Sequence, residues 1–293
     1  MTELIQRVVD ALSVGSTYAL LALGLTLVYS VMNLINFAYG MLLVWTALLA
    51  VPLIDSGLPA ELVVAICLAF TTLLSIAMGR AAFRPFLTAP PVTLLITSFG
   101  VELVLQYGAL LFFGENPRIL RVPTFLNEVL FIGGVRVPAI ELITIATAGI
   151  VVLGLYALLN RTFFGMQIRA AAEQPDVARL MGISPARVLT IVFAISGLIA
   201  GVVGLLWFAK VGAITPRSDL EPTFKAFISI VLGGLGNTRG AIVGGLTLGA
   251  LEVGLSAILP PEAIGYTDAI VFLVVILILL LRPRGLIGPG AGL

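Results

Sequence analysis

Histidine is missing from this chain of 293 residues, cysteine occurs once, and lysine only twice, at Lys210 and Lys225. These absences remove whole classes of chemistry. A single thiol, Cys67, cannot close an intrachain disulfide. Without histidine there is no Cys/His metal cluster, no H-E-x-x-H protease motif and no imidazole proton relay. Neither lysine lies in a G-x-x-x-x-G-K-[ST] loop, so the chain has no such phosphate cradle and cannot hydrolyse ATP by that route. No nucleophile and base stand at a spacing suited to covalent catalysis. The chain therefore reads as a non-enzyme, with no cofactor expected.

Charge is scarce as well. Only 11% of residues are charged and 60% are hydrophobic, where an average soluble domain has about 25% charged residues. This excludes an ordinary water-soluble globule. Sixteen basic and fifteen acidic residues nearly cancel, and no stretch concentrates Lys and Arg, so nucleic acid is not an expected partner. From Ala11 to Ile54 no residue is charged, enough for roughly 66 Å of helix, against a hydrocarbon core about 30 Å thick. That run alone can cross a bilayer twice. The residues before it include Glu3, Arg7 and Asp10 instead of a basic segment, and the apolar stretch is too long for a cleaved signal, so the first span is expected to be retained.

Further low-charge runs cover Leu62 to Gly79, Val92 to Phe113, Ala139 to Asn160, Val188 to Ala209, Phe224 to Gly236, Ala241 to Leu259 and Ala269 to Leu281. The expected fold is an all-α polytopic membrane protein with eight or nine transmembrane helices, some discontinuous. It forms a single transmembrane domain over residues 1–293. Phe224 to Gly236 and Ala269 to Leu281 are short for a perpendicular span and call for tilt, extension or re-entry. Arg80 and Arg84, the connector from Arg161 to Arg187, and Arg282 with Arg284 mark three cytoplasmic regions by the positive-inside bias. The alternate loops, at Asp55 and Glu61, Glu115 to Arg136, Lys210 to Lys225, and Glu262 with Asp268, read as external. Nine crossings make the two sets alternate and put the N-terminus outside.

Two segments interrupt the helical pattern. Asn33 to Gly40 (NLINFAYG) and Gly233 to Gly240 (GGLGNTRG) sit between apolar stretches, as discontinuous helices do where freed backbone lines a transport cavity. A tight turn between two spans reads the same way, above all for the second, which carries Arg239. The uncharged first segment reads as a buried break, with Asn33, Asn36, Phe37 and Gly40 as candidates for a route. Gly233, Gly234, Gly236 and Asn237 are the candidates in the second.

Carboxylates inside apolar runs should avoid lipid. Glu102 shares a ridge with Ser98 and Gln106, and Glu252 shares a face with Gly245, Gly249 and Ser256. Two readings stand for each, a pathway or gate and hydrogen bonding between helices. Small residues at Ala194, Gly197, Gly201 and Gly204, and at Gly236, Gly240 and Gly244, form ridges for close helix packing. In the connector, Phe163 to Gln174 has helical composition and Pro175 suits the first turn of a second short helix. Gly182 can end that helix, and Ser184 with Pro185 can cap and open the next span. Phe163, Phe164, Met166, Ile168, Leu180 and Met181 are too apolar for a purely solvated loop. They suggest docking to the membrane body on one side and to a soluble partner on the other.

Three segments together resemble the permease subunits of bacterial ABC importers for branched-chain amino acids, within a wider family that includes ribose-type sugar permeases. They are GSTYALLALGLTLVYSVMNLINFAYG at Gly15 to Gly40, FGMQIRAAAEQPDVARLMGIS at Phe164 to Ser184, and KAFISIVLGGLGNTRGAIVGGLTLGALE at Lys225 to Glu252. The likeness extends over essentially the whole chain. Asn36-Phe37-Ala38-x-Gly40, followed later by Gly233-Gly234-x-Gly236, is particular to the branched-chain type. Such permeases often carry His and an acidic residue near the first motif, where this chain has Tyr39 and Met41. The resemblance implies the inner membrane of a bacterium. It also implies a complex with a second permease chain, identical or homologous, two cytoplasmic ATPase subunits and a periplasmic substrate-binding protein. Arg169, Ala170, Glu173 and Gly182 resemble the segment that couples to the ATPase. Branched-chain or other small hydrophobic amino acids are the implied substrates, with urea, short amides and aromatic acids as alternatives. An ion-coupled secondary transporter is the rival class.

Overall fold

The computed structural model describes residues 2–87, 89–123, 126, 128–132 and 135–288. Among them, nine helices form the bundle: α1 (Thr2–Met32), α2 (Tyr39–Asp55), α3 (Ala60–Met78), α4 (Pro91–Phe113), α5 (Ala139–Arg161), α8 (Pro185–Val211), α9 (Leu220–Gly233), α10 (Thr238–Ile258) and α11 (Thr267–Leu281). The connector adds α6 (Phe163–Glu173) and α7 (Pro175–Leu180). Seven helical segments are long and apolar enough to cross a membrane, α11 only together with the 3-10 turns that lead into it (Pro261–Leu281), while α2, with 17 residues, and α9, with 14, are shorter. The all-α, multi-pass expectation holds, with two small additions. A hairpin pairs β2 (Val129–Ile132) with β3 (Val135–Pro138), and β1 (Arg118–Ile119) pairs with β4 (Ala213–Ile214).

Proline sets many helix starts. Pro91, Pro175 and Pro185 occupy first-turn positions of α4, α7 and α8, where a fixed φ is favourable and the missing N–H costs nothing. At the far end of α3 the chain widens into one π turn, Gly79–Phe83, before a short 3-10 turn.

Small residues decide which helices touch. A Cβ on Gly245 would lie 2.3 Å from the Ala19 nitrogen, and one on Gly249 2.3 Å from the Gly15 nitrogen, so α1 and α10 run antiparallel with their backbones in contact. Gly197 and Gly201 face Ser75 and Leu68 of α3, and Gly204 faces Leu43 of α2. Lipid supplies no hydrophobic push between helices, so this close approach provides the packing. The expected ridge on α8 is present, whereas Gly236 belongs to a turn and not to the α10 stripe. Asn33, Leu87, Arg179 and Pro185 surround one small cavity. The loop after α3, the connector and the end of α1 thus gather at one end of the bundle. The N-terminal turns lie at the other, where Gln6 accepts from the Arg136 backbone.

Candidate functional site

The first break runs from an exposed residue, Asn33, into the interior. Asn33, in the left-handed region at φ 50°, ends α1 with its N–H on the Tyr29 carbonyl (2.8 Å), and Leu34, Asn36 and Ala38 are enclosed. Asn36 Oδ1 accepts from the Ala38 N–H (3.2 Å) and its carbonyl from the Tyr39 N–H (3.2 Å), while Nδ2 is buried without a partner among the described residues. The ring of Tyr39 reaches Gly24, eight residues before the end of α1. The chain therefore doubles back by about 12 Å before α2 begins, and α2 starts inside the bundle. Gly40 permits this. A Cβ there would fall 1.9 Å from Thr223 Oγ1 and 2.5 Å from the Asp219 carbonyl oxygen.

Two ridges meet this start. On α4, Glu102 and Gln106 flank the Asp219 carboxyl group, and Phe99 stacks on Phe37 with ring centroids 4.5 Å apart and planes at 15°. On the other side Phe227 of α9 lies 6.5 Å from Phe37. Ser98, fully buried, bonds within α4 to the Leu95 carbonyl (2.9 Å). Of the expected route residues, Phe37, Gly40, Glu102 and Gln106 come together here, with Asn36 next to Phe37. Asp219, Thr223, Phe227 and Phe99 complete the junction, and none of them is among the residues the sequence pattern singles out. A signal existed: positions 219, 223 and 227 repeat at the same spacing of four as 98, 102 and 106.

Glu252 has a different setting. Its Oε2 accepts from Lys225 Nζ (2.5 Å) and from the Tyr18 hydroxyl (2.8 Å), and the same ammonium donates to Asp268 (2.6 Å). This cluster joins α1, α9, α10 and the start of α11 around a lysine that is 2% exposed. The interhelical reading of Glu252 describes these contacts.

The second interruption is a capped turn. Gly234 (φ 116°) and Gly236 (φ 76°) take backbone angles that side chains disfavour. Asn237 Oδ1 caps α10 by accepting from the Arg239 and Gly240 N–H groups (3.0 and 3.1 Å). The carbonyls of Leu232 and Gly233 accept from Leu286 and Ile287 of the tail, and Gly233 lets α9 approach Gly240. The turn lies roughly 20 Å along α9 from Asp219.

In the connector the expected helix boundaries appear, with Gly182 at φ 82° closing α7. The Ser184 side chain makes no cap bond; its carbonyl instead accepts from the Arg187 and Val188 N–H groups. Ile168 is fully buried against the bundle, whereas Phe163, Phe164, Met166, Leu180 and Met181 are exposed. Ala170 is half-buried and Glu173 exposed. Arg169 donates to Asn160 (2.8 Å), which anchors the α6 face that carries Glu173. A separate, largely apolar cavity of about 740 Å³ opens between Leu58, Val63, Leu126, Ile143 and Leu205, away from these polar groups.

Comparison with known proteins matches residues 7–280 to the family described as branched-chain amino acid transport system / permease component. The high-affinity branched-chain amino acid transport system permease protein BraD of Pseudomonas aeruginosa is 30% identical over 97% of this chain and 95% of its own length. LivH of Escherichia coli K12, a permease protein of the same description, is 32% identical with the same coverage of both. The fructose import permease protein FrcC of Rhizobium meliloti is 27% identical over 49% of this chain and 37% of its own.

Proposed function

Because the chain belongs to the family of branched-chain amino acid transport permease components, we propose that it imports branched-chain or other small hydrophobic amino acids with ATP hydrolysed by partner subunits. The permease works beside a second permease chain, identical or homologous, above two cytoplasmic ATPases, and receives solute from a periplasmic binding protein. The end with the basic loops faces the cytoplasm. There α6 and α7 form the coupling surface: Ile168 holds them to the bundle while Phe163, Phe164, Leu180 and Met181 remain outside, as a contact for a soluble partner requires. Arg169, Ala170, Glu173 and Gly182 belong to that surface.

One observation carries the translocation reading. The uncharged break at 33–38 opens α2 inside the bundle, against polar groups of α4 and α9. Freed backbone groups need protein or water as partners at that depth, and a route that opens alternately to the two sides provides such a place. Movement of α6 and α7 by the ATPases is transmitted to this junction through α8, which packs on both α6 and α2. The test is reconstitution of the complete importer in proteoliposomes, with uptake of labelled leucine as the readout. Uptake should require ATP and the binding protein. Uptake that persists without an ATPase and collapses with an ion gradient would refute the proposal in favour of a secondary transporter.

A further inference from the structure

Asp219 is 1% exposed, and its Oδ1 has no hydrogen-bond partner among the described residues. Its neighbours, a second carboxyl group on Glu102 and the amide of Gln106, hydrogen-bond the same carboxyl group, which leaves Oδ1 as the unfilled acceptor. The cations nearest in sequence are committed elsewhere: Lys225 to Glu252 and Asp268, and Arg217 to Glu115. A buried carboxylate without a cation is costly, and among the described residues no Lys or Arg forms an ion pair with Asp219. Directly beside it lies an apolar wall, Phe37 stacked on Phe99 with Phe227 behind. Within this chain the junction is not sealed: Phe99 is 45% exposed and Phe37, Glu102 and Gln106 are half-buried.

We propose that Asp219, with Glu102 and Gln106, is a subsite for the protonated amine of the travelling solute, and that Phe37, Phe99 and Phe227 receive its apolar part. The carboxylate oxygens accept the N–H groups of the ammonium, and the Gln106 side-chain oxygen accepts another. An ammonium borne on a carbon next to an apolar chain satisfies both halves at once, as a hydrophobic amino acid does. Urea, short amides and deaminated acids leave the carboxylates unpaired. The inference rests on the import reading above and narrows it to amine-bearing solutes.

The experiment uses the assembled permease–ATPase complex in nanodiscs without the binding protein, and measures binding of labelled leucine at millimolar concentration. Asp219→Asn and Glu102→Gln should each weaken binding about tenfold or more, as expected on losing a charge-assisted hydrogen bond. The amine 3-methylbutylamine should displace the label, and the deaminated acid 4-methylpentanoate should not. A purely structural Asp219 predicts lower thermal stability of Asp219→Asn; removal of an unpaired buried charge predicts equal or higher stability. Leucine binding unchanged in both variants, or equal displacement by the amine and the acid, overturns the subsite. So does absence of leucine binding when ATP-driven leucine uptake by the wild type is intact. Leucine uptake that needs no ATP overturns the import reading instead, and leaves the binding comparison readable.

Discussion

Alanine at position 40 probes the contact between α2 and α9. Its Cβ would stand 1.9 Å from Thr223 Oγ1 and 2.5 Å from the Asp219 carbonyl oxygen, where non-bonded carbons prefer about 3.5–4.0 Å. The helices must part by roughly 1 Å or more, and overpacking of this kind costs about 1–3 kcal/mol. Helix propensity offsets up to about 1 kcal/mol of that. The net loss, up to about 3 kcal/mol and centred near 1–2, corresponds to a fall of roughly 2–8 °C in Tm at that centre for a chain of this size. Gly254 supplies the control, because a Cβ there meets nothing within 4 Å. The same substitution at 254 should leave Tm unchanged or raise it by a few degrees through propensity alone. Adding Thr223→Ala to Gly40→Ala removes the nearer obstruction but not the backbone carbonyl, so recovery should be partial. Heating detergent-solubilised protein and following the folded fraction by size-exclusion chromatography reads all four proteins. Equal stability of Gly40→Ala and Gly254→Ala would refute the packing on which the junction depends.

Lys225→Met should destabilise by about 2 kcal/mol, less than for a fully enclosed pair because Asp268 is more than half exposed; adding Glu252→Gln should recover part of the loss in the same thermal assay. The purified chain alone should neither bind nor hydrolyse ATP, which nucleotide binding and phosphate release check directly after contaminating ATPases are excluded. Reversing the charges of Arg169 and Glu173 together should lower ATP-driven uptake while leaving membrane insertion intact; unchanged uptake and unchanged ATPase stimulation would remove these residues from the coupling surface. A cysteine at 36 or 40 in a Cys67→Ala background should react with small aqueous thiol reagents at a rate that depends on nucleotide state, and silence at both positions in every state would place the route elsewhere.

What was readable without coordinates is what local rules encode. Charge-free run lengths located the membrane helices, and Pro175, Gly182 and Pro185 marked the limits of α7 and the start of α8, because proline and glycine act on their own turns. The polar break at 33–40 was visible for the same reason: an asparagine-containing, glycine-ended segment inside an apolar run interrupts a local period. The folded chain alone decided which carboxylate meets which partner. Glu102 and Glu252 look alike in sequence, each a lone acid in an apolar helix, yet Glu252 meets a lysine 27 residues away while Glu102 meets Asp219. Likewise, nothing near Gly40 announces that Thr223 and Asp219 will press on it. Helix packing in lipid is set by small residues matched across helices distant in sequence. Those matches exist only once α1, α10 and α9 have found one another, and they bring residues 37, 102 and 219 to a single point.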